Sequence, residues 1–449
     1  MRLETTILAA VVAGGCRLID TAHRCMPFRM LATAGPGANI VTMLIAESTI
    51  AAPGVRRPSI RPTEVAHWGG VFAMTLCVFA LIASEFMPVS LLTPIASALD
   101  VSEGLAGQGI AISGAFAVLT SLTISRVSQR VDRKMVLLAL TALMGLSGAV
   151  VGLAQGYLAY MAGRALIGVV VGGFWSMSAA TAMKLVPAAA VSRALATFNG
   201  GNALATVVAA PLGSYLGAVI GWRGAFFCLV PIAAAAFVWQ CFSLPSMPPK
   251  PRRSGAGNAI RLLKRPQVAL GMAAVGLFFM GQFALFTYLR PFLESVTGVD
   301  VSTLSLMLLA LGIAGFVGTT VVGTVLKRSL YGTLALIPVA MAAIAVALVI
   351  VGASLPATAT LLALWGLVAT AAPVGWWTWL ARTLPDDADT GGGLLVAVVQ
   401  SSIALGSTVG GVLFDRGGPA ATFAFSAGLL LLAASLAWLT RRVEPGKPR

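Results

Sequence analysis

Apolar residues fill this chain in twelve long runs, separated by short polar breaks. From Trp68 onward the runs cover roughly 69–93, 104–125, 135–154, 157–181, 195–219, 224–244, 268–292, 303–326, 330–352, 357–381, 391–414 and 419–439. Crossing a bilayer takes about 20 mostly apolar residues in a helix, and each run is close to that length. Gly and Pro are frequent inside the runs, as membrane helices tolerate. The pattern predicts an all-α membrane protein with about twelve transmembrane helices.

Residues 1–66 do not fit it. The apolar stretch Thr6 to Gly14 is too short to span. Arg17, Arg24 and Arg29 follow it, whereas a signal peptide carries its positive charge ahead of the apolar region. This segment is expected to be a disordered cytoplasmic tail, with Met43 as a plausible alternative start.

Lys and Arg orient the spans. Odd-numbered breaks carry almost none: Arg223 and Arg416 in short turns, and Arg290 at the end of the seventh span. Even-numbered breaks carry Arg126, Arg130, Arg133 and Lys134, then Lys184 and Arg193, then Lys250, Arg252, Arg253, Arg261, Lys264 and Arg265, then Lys327 and Arg328. The positive-inside rule places both termini in the cytoplasm. The longest break, 245–267, is basic and splits the chain into six-helix halves, 67–244 and 268–440, with a short tail at 441–449. The halves echo each other weakly. Span five ends Pro211-Leu212-Gly213-Ser214 and turns at Gly221-Trp222-Arg223; span eleven ends Gly410-Gly411 and turns at Asp415-Arg416-Gly417-Gly418. Such halves can be related by an axis along the membrane normal.

Composition agrees. The chain is 58% apolar and 10% charged, with mean hydropathy +0.92. A soluble domain is about a quarter charged. The net charge of +15 is spread over breaks between spans rather than gathered on a soluble face, which argues against nucleic-acid binding. The five cysteines are odd in number, without a CxxC, and His23 and His67 lie outside the spans. Neither a disulfide framework nor a metal site follows, and buried thiols acting as small apolar residues are expected. No GxxxxGK[ST] element occurs, so no nucleotide cofactor is predicted. The lack of a catalytic constellation argues against an enzyme.

Charge inside hydrocarbon costs several kcal/mol, so each such residue is a functional candidate. Glu85 is the only acidic residue deep within a run, and Arg164 the only basic one. Counting about 1.5 Å per residue from the span ends places both at one depth, about 10–12 Å below the outer surface. A carboxyl held between desolvation and a neighbouring cation can load and release a proton. Proton coupling through Glu85 and Arg164 is one reading; a static ion pair that fixes packing is the other.

Other polar and aromatic residues in the spans are candidates for contact with a small-molecule substrate: Asn199, Asn202, Gln282, Phe286, Tyr288, Trp376, Gln400 and Trp175. Aromatic faces stack on planar rings, and amides read their hydrogen-bonding edges. Trp376 to Trp379 read equally as an interfacial belt.

These residues carry a resemblance. Ser84-Glu85-Phe86-Met87-Pro88-Val89-Ser90-Leu91-Leu92-Thr93-Pro94 resembles the first helix of the bacterial drug:proton antiporters of the major facilitator superfamily. Arg164 with Gly168 and Gly172 resembles their span-four signature, and Ala210-Pro211-Leu212-Gly213-Ser214 their span-five signature, with Ala and Ser for two glycines. The loop after span two, Gln129-Arg130, then Asp132-Arg133-Lys134, is a degenerate form of the family's gating loop, with Gln129 at the usual Asp position. Within that branch the chain resembles exporters of purine ribonucleosides, at Gly172-Gly173-Phe174-Trp175, Gly281-Gln282-Phe283-Ala284-Leu285-Phe286-Thr287-Tyr288-Leu289-Arg290-Pro291 and Pro373-Val374-Gly375-Trp376. The resemblance implies a monomeric antiporter of the bacterial inner membrane that exports nucleosides such as inosine and guanosine against inward proton flow. The same machine with another cargo, a sugar or a hydrophobic drug, stays open.

Overall fold

The computed structural model describes residues 66–128, 130–187, 190–248, 259–385 and 387–443. The expected N-terminal tail, save Ala66, lies outside the described residues, as do Gln129 and the middle of the basic break. The long helices are α1 (Trp68–Ser90), α2 (Glu103–Val127), α3 (Arg133–Gly152), α4 (Tyr157–Leu185) and α5 (Val191–Val219). Then come α6 (Gly221–Ser243), α7 (Pro266–Phe286), α8 (Val301–Arg328), α9 (Leu330–Val351) and α10 (Leu355–Thr383). The last helical stretch, Ala388–Arg442, runs for 55 residues but is broken at Gly418 (φ 69°, ψ −169°). It is two helices, α11 (388–417) and α12 (419–442), so the twelve expected spans are present. That left-handed corner requires glycine, and Pro419 cannot continue the preceding helix.

Four boundaries differ from expectation. Asp415 and Arg416 are helical, so α11 turns only at Gly418. Span one ends at Ser90, and a separate short helix, Leu92–Leu99, follows. Span seven ends at Phe286, and Leu289–Phe292 is its own turn of helix. Span ten is two pieces, Leu355–Ala369 and Ala372–Thr383. Each break lies beside a proline (Pro94, Pro291 or Pro373), whose ring nitrogen leaves the carbonyl four residues earlier without its helical donor.

Large apolar side chains cover the outer faces of the helices: Phe242 is 86% exposed, Leu158 83% and Ile350 75%. A soluble protein does not display such surface continuously; a bilayer requires it. Inside, one core gathers Phe278, Phe292, Leu308, Trp365, Trp379 and Phe423 from the C-terminal helices. A second gathers Met74, Leu81, Val170, Phe174 and Phe198 from the N-terminal ones. With little hydrophobic driving force in lipid, close backbone packing holds such helices together. A Cβ at Gly168 or Gly172 of α4 would strike the carbonyls of Ser113 or Ala117 in α2. The C-terminal helices repeat this: Gly318 of α8 abuts Leu367, and Gly366 of α10 abuts Leu311.

The thiol of Cys77 is buried and free, 3.5 Å from the Thr141 hydroxyl, which donates to Gln240 (2.9 Å). It sits in the core, as the sequence predicts for an unpaired cysteine.

The loop after α2 is anchored by its acid. Asp132 caps α3, accepting from the Lys134 amide at 2.8 Å, from the Ser246 hydroxyl at 2.5 Å and from the Met247 amide at 3.0 Å. The Arg133 amide donates to the Met247 carbonyl. Arg130 is exposed, and the Arg133 Nε is buried without a partner. These bonds tie the loop to the end of α6. Partial burial alone would raise the Asp132 pKa, but the hydrogen bonds and the charge of Lys184 outweigh it and hold the carboxyl below its ordinary value. A depressed carboxylate stabilises the fold above its unfolded pKa, and the contribution fades as pH falls through the lower folded value. Asp132→Ala is expected to cost about 1 kcal/mol, the worth of a helix cap. The measurement is a melting curve in detergent. The gap between variant and parent should be constant from neutral pH down to about pH 4, the ordinary aspartate range, and close under stronger acid.

Candidate functional site

The site is built on an irregularity of α1. Pro88 has no N–H, so it leaves the Ser84 carbonyl without its helical donor. In hydrocarbon that carbonyl needs another partner, and Arg164 of α4 supplies it. Its Nη1 donates to Ser84 O at 2.8 Å and its Nε to Gly109 O of α2 at 3.1 Å. Arg164 is fully buried and thereby ties three helices together. The arginine thus reaches the residue next to Glu85. The static ion pair does not form: the described ion pairs are Arg265–Asp387 and Arg290–Glu294. Arg164 and Gln400 of α11 both lie close to the Glu85 carboxyl. Glu85 is only partly buried. Gln400 Oε1 and Arg164 Nη2 are buried with no hydrogen-bond partner.

One residue on, Phe86 faces a cavity between the two sets of helices. Its walls are Phe86, Thr206 and Ala210 of α5, Gln282 and Phe286 of α7, Leu308 and Leu311 of α8, and Trp365, Gly366, Ala369 and Thr370 of α10. The cavity volume is about 60 Å³, well below the roughly 300–1,000 Å³ of an occupied small-molecule site. Phe86 packs against Phe283 (6.3 Å) and edge-on against Phe286 (6.0 Å). Two wall atoms are buried without partners, the acceptor Gln282 Oε1 and the donor Trp365 Nε1. The walls are thus apolar and aromatic, with one unpaired acceptor and one unpaired donor buried in them.

The structure brings Gln282 and Phe286 to this cavity and Gln400 to the carboxyl beside it. The remaining sequence candidates sit elsewhere. Tyr288 is fully buried, donates to the Ser407 carbonyl at 2.7 Å and stacks on Phe414. Trp376 is buried in the C-terminal core, edge-on to Trp379, while Trp377 is half exposed. Trp175 lies edge-on to Phe174 in the N-terminal core. Asn199 is exposed, and its amide donates back to Leu195 O. Asn202 is partly exposed on α5, one turn from the cavity residue Thr206. Trp365 was not singled out by sequence. Its signal is a tryptophan in mid-span, away from the interfacial ends where belts form.

No group of three or more His, Cys, Asp or Glu side chains that could hold a metal occurs among the described residues. A multi-pass helical shell with a small cavity between its two sets of helices fits a membrane transporter. The chain belongs to the Major Facilitator Superfamily, whose family model matches residues 74–406. It is 62% identical over 384 residues to "Transcription regulatory protein OpdE" of Pseudomonas aeruginosa, covering 85% of this chain and 96% of that one. It is 41% identical over 394 residues to "Purine ribonucleoside efflux pump NepI" of Salmonella typhimurium, covering 88% and 97%. Solved structures share the fold at low identity. A bacterial homologue of the lysosomal transporter Spinster, inward-facing and unoccupied, superposes with TM-score 0.67 at 16% identity, over 85% of this chain and 98% of that one. The nucleoside transporter NupG superposes with TM-score 0.68 at 12% identity, over 83% and 99%.

Proposed function

We propose that this transporter is a proton-coupled antiporter of the bacterial inner membrane that exports purine ribonucleosides, inosine and guanosine among them. The carrying observation is the adjacency of Glu85 to Phe86 on α1. The carboxyl that would take the proton and the ring that lines the cavity are consecutive residues, so protonation and occupancy act on the same turn of helix. The cavity's unpaired acceptor and donor, Gln282 and Trp365, suit the edge of a purine between aromatic walls. The 41% identity to a purine ribonucleoside efflux pump supports the same cargo. In this reading both termini are cytoplasmic, the halves 67–244 and 268–440 rock about the cavity, the monomer suffices, and protonated Glu85 favours one orientation. Proton and substrate alternate through their different affinities for the two states.

Everted vesicles carrying the protein are expected to accumulate labelled inosine when a proton gradient, acid inside, is imposed. Uptake of a sugar or a hydrophobic dye without inosine would assign the other cargo, and of those two the apolar wall of Ala210, Leu308 and Leu311 favours the dye. A transcriptional role is the second reading, carried by the name of the 62% relative. It predicts no gradient-driven uptake of any of the three compounds.

A further inference from the structure

Arg290, counted by sequence as the end of a span, is 5% exposed and holds the other carbonyl that proline frees in this region. Pro94 has no N–H for the Ser90 carbonyl, as Pro88 has none for Ser84. Arg290 Nη1 donates to Ser90 O, while its Nε is held by Glu294 at 2.7 Å. The two arginines thus do the same job from different sides. Arg164 takes its carbonyl from within the N-terminal helices; Arg290 reaches across from the C-terminal ones.

A second acid–donor contact crosses at the same end. Asp415, at the end of α11, accepts from the Ser102 hydroxyl at 2.6 Å and from the Gly104 amide at 3.0 Å. Ser102 is the N-cap of α2, so the carboxylate sits where unsatisfied amides and the helix dipole favour negative charge. The approach depends on absent side chains. A Cβ at Gly104 would strike the Asp415 carboxylate, and one at Gly411 would strike Gly104 and the Tyr288 hydroxyl. Just below, Thr408 donates to Gln108 at 3.0 Å.

We propose that Arg290 and Asp415 form a two-point latch that closes the transporter at the end opposite the basic linker. Arg290 clamps α1 through the Ser90 carbonyl, and Asp415 clamps α2 through its N-terminus. Both contacts join helices of different halves, so both must open for the cavity to reach that side. Breaking them shifts the protein towards the conformation open there. The inference rests on the transport reading for its purpose, but its test reads distance rather than transport, so the two can fail separately.

The test is a spin-label distance measurement on a cysteine-free background. Labels at Ser97 and Val296, both exposed near this end, report on the two halves. The parent is expected to show mainly the short, closed separation. In Asp415→Ala and Arg290→Gln a longer-distance component should grow, and in the double variant it should become the main one. Asp387→Ala, which removes the Arg265–Asp387 ion pair at the other end, should leave the distribution at the parent's. Pro94→Ala gives the Ser90 carbonyl a competing backbone donor without touching the latch side chains, and should lengthen the distance as Arg290→Gln does. It decides the matter if the arginine variant fails to fold. Folded variants whose distribution matches the parent's would overturn the latch.

Discussion

Glu85→Gln is expected to abolish gradient-driven accumulation of inosine while leaving the protein folded. Glutamine keeps the size and polarity of the side chain, so the packing around position 85 is preserved. What it loses is ionisation. With one proton exchanged per substrate, a gradient of one pH unit sustains about tenfold accumulation, since each unit is worth about 1.4 kcal/mol. Without a group that binds the proton on one side and releases it on the other, the accumulation ratio should fall to one. Exchange of labelled for unlabelled inosine needs no proton and should persist. Accumulation retained in the variant would remove Glu85 from the coupling mechanism.

Arg164→Leu is expected to lower stability by about 2–4 kcal/mol, and Arg164→Lys by less. The argument is one of partners. Leucine relieves the cost of burying a charge, but strands the Ser84 carbonyl, worth about 1–3 kcal/mol when left unmade, and removes a second bond, to the Gly109 carbonyl. It also removes the one buried cation close to Glu85. Lysine restores charge and one donor but cannot bridge both carbonyls with a planar fork. Melting in detergent measures the order. A leucine variant as stable as the parent would mean that the two carbonyls are satisfied some other way.

The spans were legible in the sequence because hydropathy is a sum over about twenty residues and survives local detail. Their interruptions were less so. Pro94, Pro291 and Pro373 are visible in the chain, but membrane helices often carry proline without breaking, so only the folded backbone shows where each run stops. Glu85 and Arg164 stood out because charge in hydrocarbon is rare, and their common depth followed from counting residues. Their relation did not. The sequence suggests a carboxylate–guanidinium pair, whereas the guanidinium goes to carbonyls, one of them freed by Pro88. Arg290 and Asp415 escaped notice for the opposite reason: they sit at the ends of apolar runs, where a charge looks like loop. Of the substrate candidates, Gln282 and Phe286 reach the cavity, while Tyr288, in the same run, does not. The helix ends at Phe286, so the positions beyond it no longer follow its period.

The tight corner at Gly418 has companions. At that end of the molecule α5 passes to α6 through Ile220 and Gly221 (φ 77°), and residues 352–354 join α9 to α10. In the proposed orientation, this is the face shown to the cell's surroundings. These three corners offer no long loop for an antibody, a phage or a protease to grip, and no slack for an inserted epitope tag. Surface labelling at these corners therefore has to work through single-residue substitutions rather than insertions.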